Sequence, residues 1–147
     1  MPSLSLTDPL LSRARELVDK HLTQIPTLWL KVPGDTPKHH PGSSFWQPWF
    51  PEHQRLLHAG WKSGLGAKWA QVVLFGGKQK EENWNLLKLA DHHLDTDGKL
   101  LFVIPNEYGS KSYQRKLEES QLLSDYSSGR KSRLYMLKAQ ALSLIHI

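Results

Sequence analysis

The chain has 147 residues, a length typical of about one domain, and its contents of 39% hydrophobic and 22% charged residues are ordinary for a globular protein. The absence of cysteine excludes disulfides, thiolate zinc sites and a cysteine nucleophile, while the net charge of +5 permits a nucleic-acid partner because excess lysine and arginine attract phosphate. No apolar run reaches the roughly 20 residues that span a bilayer, and the N-terminus lacks the pattern of a signal peptide, so we expect a soluble, cytoplasmic protein.

The first predicted elements are a helix and a short strand. Asp8 can cap a helix that begins at Pro9, and an amphipathic segment, residues 10–22, continues it. The stretch PTLWLKVPG predicts a strand over Thr27–Val32 that Pro33 and the following glycine stop.

A segment rich in proline and tryptophan, residues 33–51, follows this strand. It holds five prolines, and we predict an ordered loop over the core because its aromatic residues bring burial energy that disordered linkers lack. Pro51 then begins a short predicted helix, PEHQRLLHAG, which Gly60 ends in the position after the C-cap.

The second half alternates strands and helices. WAQVVLF predicts a strand, and the helical periodicity after it, with its stripe of Trp84, Leu87 and Leu94, predicts a helix ended by Gly98. KLLFVIP is apolar without alternation, which is typical of a strand buried in a parallel sheet. A helix in NEYGSKSYQRKLEE, a turn at SSGR and a strand in SRLYMLKA complete a predicted α/β fold.

Several candidate sites have an ordinary structural alternative. The glycine pair after WAQVVLF, with Lys78 and Lys80, could bind phosphate at a helix N-terminus or be a tight turn with solvated lysines, which we favour. The stretch SGLGAK reads as a loop, and the spacing of the eight histidines does not predict a metal site. Asp95, Asp97 and Glu107 could form an acidic cluster or be turn residues.

The densest basic stretch is SSGRKSR, residues 127–133. Together with basic residues near other strand ends it could bind RNA phosphates, although a solvated turn is the alternative. The candidate RNA-binding side chains are Lys78, Lys80, Lys111, Arg115, Lys116, Arg130, Lys131 and Arg133.

The stretch from Trp69 to Lys138 resembles the N-terminal domain of bacterial ribosomal RNA guanine-N2 methyltransferases. In that family an apolar strand leads to a Lys-x-Lys-x-Glu turn, a Gly-x-x-Ser element starts a later helix, and a basic pair precedes a final strand with Leu-Tyr. The matching residues are Lys78, Lys80 and Glu82, then Gly109 to Ser112, then Arg130-Lys131 and Leu134-Tyr135.

The resemblance implies a Rossmann-like sheet of the S-adenosylmethionine (SAM) methyltransferase type, incomplete or degenerate. Enzymes of this family have two such domains in tandem. The first is non-catalytic and aids folding and RNA engagement, and the second binds SAM through a glycine-rich turn and carries an Asn-Pro-Pro-aromatic motif. Neither motif occurs in this chain. The stretch IPNEY shares letters with the second motif, but Asn106 follows its proline instead of preceding it. We therefore expect no catalytic, SAM-binding or metal-binding residue in this chain, and ribosomal RNA or a ribosomal subunit as partner.

The last six residues, LSLIHI, resemble the translation of a transposase-type sequencing adaptor. We interpret residues 1–141 as the methyltransferase-like N-terminal domain and residues 142–147 as a non-native tail, so that the catalytic half of the parent enzyme would follow. Two alternatives stay open: a stand-alone basic RNA-binding α/β module without enzymatic activity, and a small α/β enzyme that uses the loops around Gly76 and Asn106.

Overall fold

The computed structural model describes residues 9–34, 36, 40–66, 68–119, 123–129 and 132–138. The helices are α1 (Pro9–His21), α2 (Phe50–His58), α3 (Lys80–His92) and α4 (Ser110–Glu119), with a 3-10 turn at Asn106–Tyr108. The strands are β1 (Leu28–Leu30), β2 (Ser44–Trp46), β3 (Lys62–Ser63), β4 (Trp69–Phe75), β5 (Leu94–Pro105), β6 (Leu123–Gly129) and β7 (Ser132–Lys138).

The strands form one seven-stranded sheet in the order β3-β2-β1-β4-β5-β7-β6. The first five strands in this order are parallel, and β7 lies antiparallel between β5 and β6. Leu28 of β1 pairs with Ser44 of β2 on one side and with Val72 of β4 on the other. The chain therefore moves outwards from β1 in one direction and then in the other, as in doubly wound α/β folds.

Two apolar layers cover the sheet, one on each face. The first joins α1 and α2 to the sheet around Val18, Trp29 and Leu56. The second joins α3 and α4 to the opposite face around Phe102 and Tyr113. This three-layer arrangement confirms the predicted α/β fold, and the burial of every residue from Leu100 to Ile104 confirms that β5 is covered on both faces.

Two predictions for the first half of the chain need correction. The segment 33–51 is not only a loop, because its residues Ser44–Trp46 form β2. A strand of three residues between prolines has no periodicity of its own, and its ladder with β1 stabilises it. The first strand is also shorter than predicted, Leu28–Leu30, because Lys31 has a positive φ of 58° and leaves the extended conformation.

Two further corrections concern the second half. The predicted helix does not reach Gly98, because α3 ends at His92 and Leu94 pairs with Trp69 as the first residue of β5. The amide N–H of Trp69 also donates to the carbonyl of His93, at 2.8 Å, so pairing with β4 replaces the last helical turns. The strand β6, Leu123–Gly129, was not predicted, and it includes the first three residues of the SSGR stretch that was predicted as a turn.

Candidate nucleic-acid interface

The parallel strands all end at one edge of the sheet, which we call the carboxyl edge. Ligands of doubly wound folds bind in the crevice outside this edge, where the strand order reverses. In this chain the crevice lies between the ends of β1 and β4. The segments beside it are the loop after Leu30 and the turn after Phe75.

Lys31 crosses this crevice. Its Nζ lies 2.5 Å from Oε1 of Glu82, in the first turn of α3, and forms an ion pair with it. A Cβ added at Gly77 would lie 3.2 Å from the same Nζ, so the ammonium group lies directly over the turn after β4. The lysine side chain is 23% exposed, which places most of it in contact with the protein.

The loop after β1 is held against α2 and the end of β2. The Gly34 amide N–H donates to the carboxylate of the buried Glu52, and Nε2 of Gln47 donates to the carbonyl of Val32 at 3.0 Å. A Cβ at Gly34 would overlap the Glu52 carboxylate, so the two segments are in close contact. The Gly34 amide, in the place where a glycine-rich turn would offer N–H groups to a ligand, is already paired.

Among the residues that the structure describes after β1, the arrangement does not suit SAM. Its binding requires an open pocket and free amide donors after the first strand, whereas Lys31 lies across the crevice and Glu52 uses the Gly34 amide.

The glycine turn after β4 is held by Asn83, a fully buried residue of α3. Oδ1 of Asn83 accepts from the Gly77 N–H at 2.9 Å, and Nδ2 donates to the Gly77 carbonyl at 2.8 Å. Nδ2 also donates to the Tyr113 hydroxyl at 2.9 Å. Because the Gly77 N–H is occupied, the geometry favours the tight-turn alternative over a backbone phosphate site at this glycine.

Basic side chains gather beside this turn, around the N-termini of α3 and α4. Three neighbouring open depressions, with volumes of about 380–420 Å³, all include Lys111 in their walls. One of them is lined by Lys80, Lys111, Ser112 and Arg115, and another by Lys111, Arg115, Arg133 and two further residues of α4. The structure thus brings together four predicted RNA-binding residues that are up to 53 positions apart in the sequence.

Two more predicted lysines lie against aromatic rings. Nζ of Lys78 is 5.7 Å from the centroid of the Tyr108 ring, at the carboxyl edge. Nζ of Lys116 is 5.0 Å from the centroid of Trp84, between α3 and α4, where the contact joins the two helices. We define the basic cluster as Lys78, Lys80, Lys111, Arg115 and Arg133, all at the carboxyl edge, and leave Lys116 outside it.

Arg133 is positioned by α4. Its guanidinium donates to Oε1 of Gln114. Tyr135, two residues further along the strand, donates its hydroxyl proton to the Ser110 carbonyl at 2.6 Å. Burial raises the pKa of Tyr135, and the positive charge of Arg133 acts in the opposite direction. Arg130 and Lys131 lie outside the described residues, and Ser132, which follows them, pairs with Pro105 at the carboxyl edge.

The structure also places the acidic residues and Asn106, which the sequence offered as further candidates. Asp95 and Asp97 lie near the start of β5 and Glu107 beyond its end. The strand from Asp97 to Pro105 alone is about 26 Å long at roughly 3.3 Å per residue, so the suggested acidic cluster does not form. Oδ1 of Asn106 accepts a hydrogen bond from the Ser110 hydroxyl at 2.9 Å. Within the described residues no group of three or more histidine, aspartate or glutamate side chains could hold a metal.

Sequence reasoning missed Lys31, Gln47 and Asn83 as residues that shape this edge. No local pattern indicates the positive φ of Lys31, and its partner Glu82 is 51 residues away.

Among the described residues, no helix is both long and apolar enough to cross a membrane.

Comparison with known proteins gives similarity of structure alone. No protein-family profile and no curated protein matches the sequence. The 16S rRNA guanine-N2 methyltransferase of T. Thermophilus, solved with AdoMet and guanosine, superposes with a TM-score of 0.62 at 15% identity, over 89% of this chain and 38% of that chain.

Two further structures are similar over most of their own length. The ribosomal protein L11 methylase of Lactobacillus delbrueckii subsp. bulgaricus has a TM-score of 0.68 at 12% identity, over 95% of this chain and 83% of that one. An rRNA methylase of Streptococcus thermophilus has a TM-score of 0.59 at 9% identity, over 92% and 100%. At such identities the likeness shows the fold, and the chain has the Rossmann-like fold of SAM-dependent methyltransferases.

Proposed function

We propose that this chain is the non-catalytic, methyltransferase-like N-terminal domain of a SAM-dependent ribosomal RNA guanine-N2 methyltransferase. In this proposal the domain comprises residues 1–141 and aids the folding and RNA engagement of an enzyme whose second domain binds SAM. The observation that carries the proposal is the Lys31–Glu82 ion pair across the crevice at the switch point of the sheet.

The occupied crevice supports a non-catalytic role. The fold is that of an enzyme class that needs a SAM pocket, yet in this chain the place for that pocket contains the Lys31 side chain and the Glu52 contact with Gly34. Methyl transfer depends on alignment of the donor with its acceptor. A domain that keeps the sheet but not the SAM pocket cannot align a methyl donor with its acceptor.

The basic cluster supports RNA engagement. Lys80, Lys111 and Arg115 line one open depression together with Ser112, in the first turn of α4. Such clusters neutralise backbone phosphates and release counterions, which gives affinity without sequence specificity. Two of the similar structures are described as rRNA methyltransferases, which is consistent with an RNA partner.

Calorimetric titration with SAM tests the non-catalytic role. We expect no binding to the chain at millimolar SAM, since the Lys31 side chain lies across the crevice and the Gly34 amide is already paired with Glu52. Binding with micromolar affinity would contradict the proposal and favour a small enzyme that uses this edge.

RNA engagement is tested with ribosomal RNA fragments at several salt concentrations. Replacing Lys111 and Arg115 together by alanine should weaken binding and reduce the slope of log K against log salt by about 0.7 to 0.9 for each phosphate that the protein no longer neutralises. Replacing Arg130 and Lys131 together should do the same. An unchanged slope in both variants would remove the basic side chains from the interface.

A stand-alone basic RNA-binding module is the second candidate, favoured by the same basic cluster. The two candidates differ in the gene downstream of codon 141. A glycine-rich strand-turn-helix followed by Asn-Pro-Pro-aromatic would support the two-domain enzyme, whereas a stop codon in the source DNA at this point would support the module.

A further inference from the structure

An exposed aromatic pair, Trp49 and Phe50, lies at the carboxyl edge on the other side of the crevice from the basic cluster. Trp49 is 62% and Phe50 is 69% exposed. The pair follows the end of β2 and begins α2, between Pro48 and Pro51. Two adjacent large rings open to solvent form an apolar surface of the kind that marks an interaction site.

The local fold does not account for these residues. Trp49 is the N-cap residue of α2 and its side chain makes no capping hydrogen bond. Short polar residues such as serine and aspartate are strongly preferred in that position. Since neither burial nor capping uses the indole, its presence there indicates a role outside the fold.

The backbone that carries the pair is firmly held. Gln47 is buried, and its Oε1 accepts from the Trp49 N–H at 3.1 Å while its Nε2 donates to the Val32 carbonyl at 3.0 Å. Nδ1 of His53 lies 3.1 Å from the Gln47 carbonyl. A platform ordered in advance loses little conformational entropy when a ligand binds.

The aromatic pair and the basic cluster share one edge. The ends of β2 and β5 are separated by three strand intervals, which amounts to roughly 14 Å at about 4.8 Å per interval. A positive surface next to an aromatic platform is the combination used by proteins that bind single-stranded nucleic acid, because the backbone meets the charges while the bases stack on the rings. An apolar protein partner would use the rings but not the neighbouring charges.

We propose that single-stranded RNA crosses the carboxyl edge, with unpaired bases stacked on Trp49 and Phe50 and its phosphates on the basic cluster. The inference rests on the proposed role in RNA engagement and adds the class of RNA. Duplex RNA is excluded as the preferred ligand because its paired, stacked bases are not open to stacking on protein side chains.

Fluorescence anisotropy with a labelled single-stranded RNA of about 12 nucleotides tests the inference, a length within the range of known single-strand sites. Trp49→Ala with Phe50→Ala should weaken binding by about 10-fold or more, from the loss of stacking, and should leave the salt slope unchanged. Lys111→Ala with Arg115→Ala should instead flatten the slope.

Matched variants separate stacking from general apolarity and from misfolding. Trp49→Tyr keeps a ring and should retain most of the affinity, whereas Trp49→Leu should lose it. Leu57→Ala removes an exposed apolar side chain about 10 Å further along α2 and should leave binding unchanged. Phe50→Ala alone should still weaken binding several-fold, and thermal melts check that each variant is folded.

The outcomes distinguish this inference from the proposed function. If the double aromatic variant binds like the wild type while the basic variant is weakened, RNA engagement stands and the stacking site is wrong. Full RNA affinity in Trp49→Leu would show that no base stacks on the indole and would overturn the stacking site as well. Equal competition by a hairpin duplex would overturn the single-strand preference, and no RNA binding by the wild type would overturn both proposals.

Discussion

Asn83 should be one of the most sensitive polar positions of the chain, and Asn83→Ala is the perturbation that measures it. The side chain makes three hydrogen bonds, two with the Gly77 peptide and one with the Tyr113 hydroxyl, at 2.8–2.9 Å. Both Asn83 and Tyr113 are almost completely buried. The variant therefore leaves the Tyr113 hydroxyl without this partner and frees the turn after β4.

The expected loss is about 3 kcal/mol in the free energy of unfolding. Each hydrogen bond contributes roughly 1 kcal/mol net, and a buried group left unpaired costs about 1–3 kcal/mol. Water can reach the partly buried Gly77 and limits that part of the loss. The higher helix propensity of alanine offsets about 0.5 kcal/mol.

Urea unfolding followed by circular dichroism is the assay, with Asn85→Ala as the matched control. Asn85 lies on the same helix two residues further on and is exposed, so its replacement should change stability by less than about 0.5 kcal/mol in either direction. A loss in Asn83→Ala no larger than that in Asn85→Ala would refute the reasoning. In the double variant with Tyr113→Phe the two losses should not add, because they share one hydrogen bond.

Two further predictions concern close packing and pH. Gly34→Ala should lower the free energy of unfolding by about 1–3 kcal/mol, because its Cβ would meet the Glu52 Cα at 3.0 Å and overlap its carboxylate. In Gly77→Ala the added Cβ would meet only the Lys31 Nζ, at 3.2 Å, and no backbone atom. This variant should therefore lose less stability in the same urea assay, and equal losses would contradict the steric argument. Burial raises the pKa of Tyr113 and Tyr135 above the usual 10.0, so the unfolded chain ionises first. The stabilisation from these two protonated tyrosines is therefore present below a pH of about 10. It is lost as the pH rises through their pKa values in the folded chain. Urea titrations at increasing pH should show this fall in the free energy of unfolding, and the fall should be smaller in Tyr135→Phe. An identical pH dependence in that variant would contradict the contribution of Tyr135.

The elements that local sequence predicts are those with a strong signal of their own. The apolar run of β4, the unbroken apolar stretch of β5 and the proline at the start of α1 were interpreted correctly, since burial and backbone restriction act within a few residues. The end of α3 was not, because the pairing of Leu94 with Trp69 and the bond between Trp69 and His93 involve residues about 25 positions apart. β2 was missed for the same reason, since its three residues are stabilised by β1.

The candidate site divides in a similar way. The basic residues could be selected from composition and from their positions near strand ends, and the structure places Lys80, Lys111 and Arg115 around one depression. The aromatic residues of the segment 33–51 were expected to lie over the core, and Trp49 and Phe50 instead are open to solvent. The exposure of a side chain depends on which distant residues pack against it, and a local sequence pattern does not predict those residues.

The sequence by itself determined the α/β class, the buried strands and the basic character of the chain, because hydrophobic periodicity, turn residues and charge are properties of short segments. Only the tertiary structure decided the order of the strands, the insertion of β7 between β5 and β6 and the closure of the crevice by Lys31 and Glu82. These features depend on hydrogen bonds and ion pairs between residues that are distant in the chain, and their geometry follows from the packing of the whole sheet.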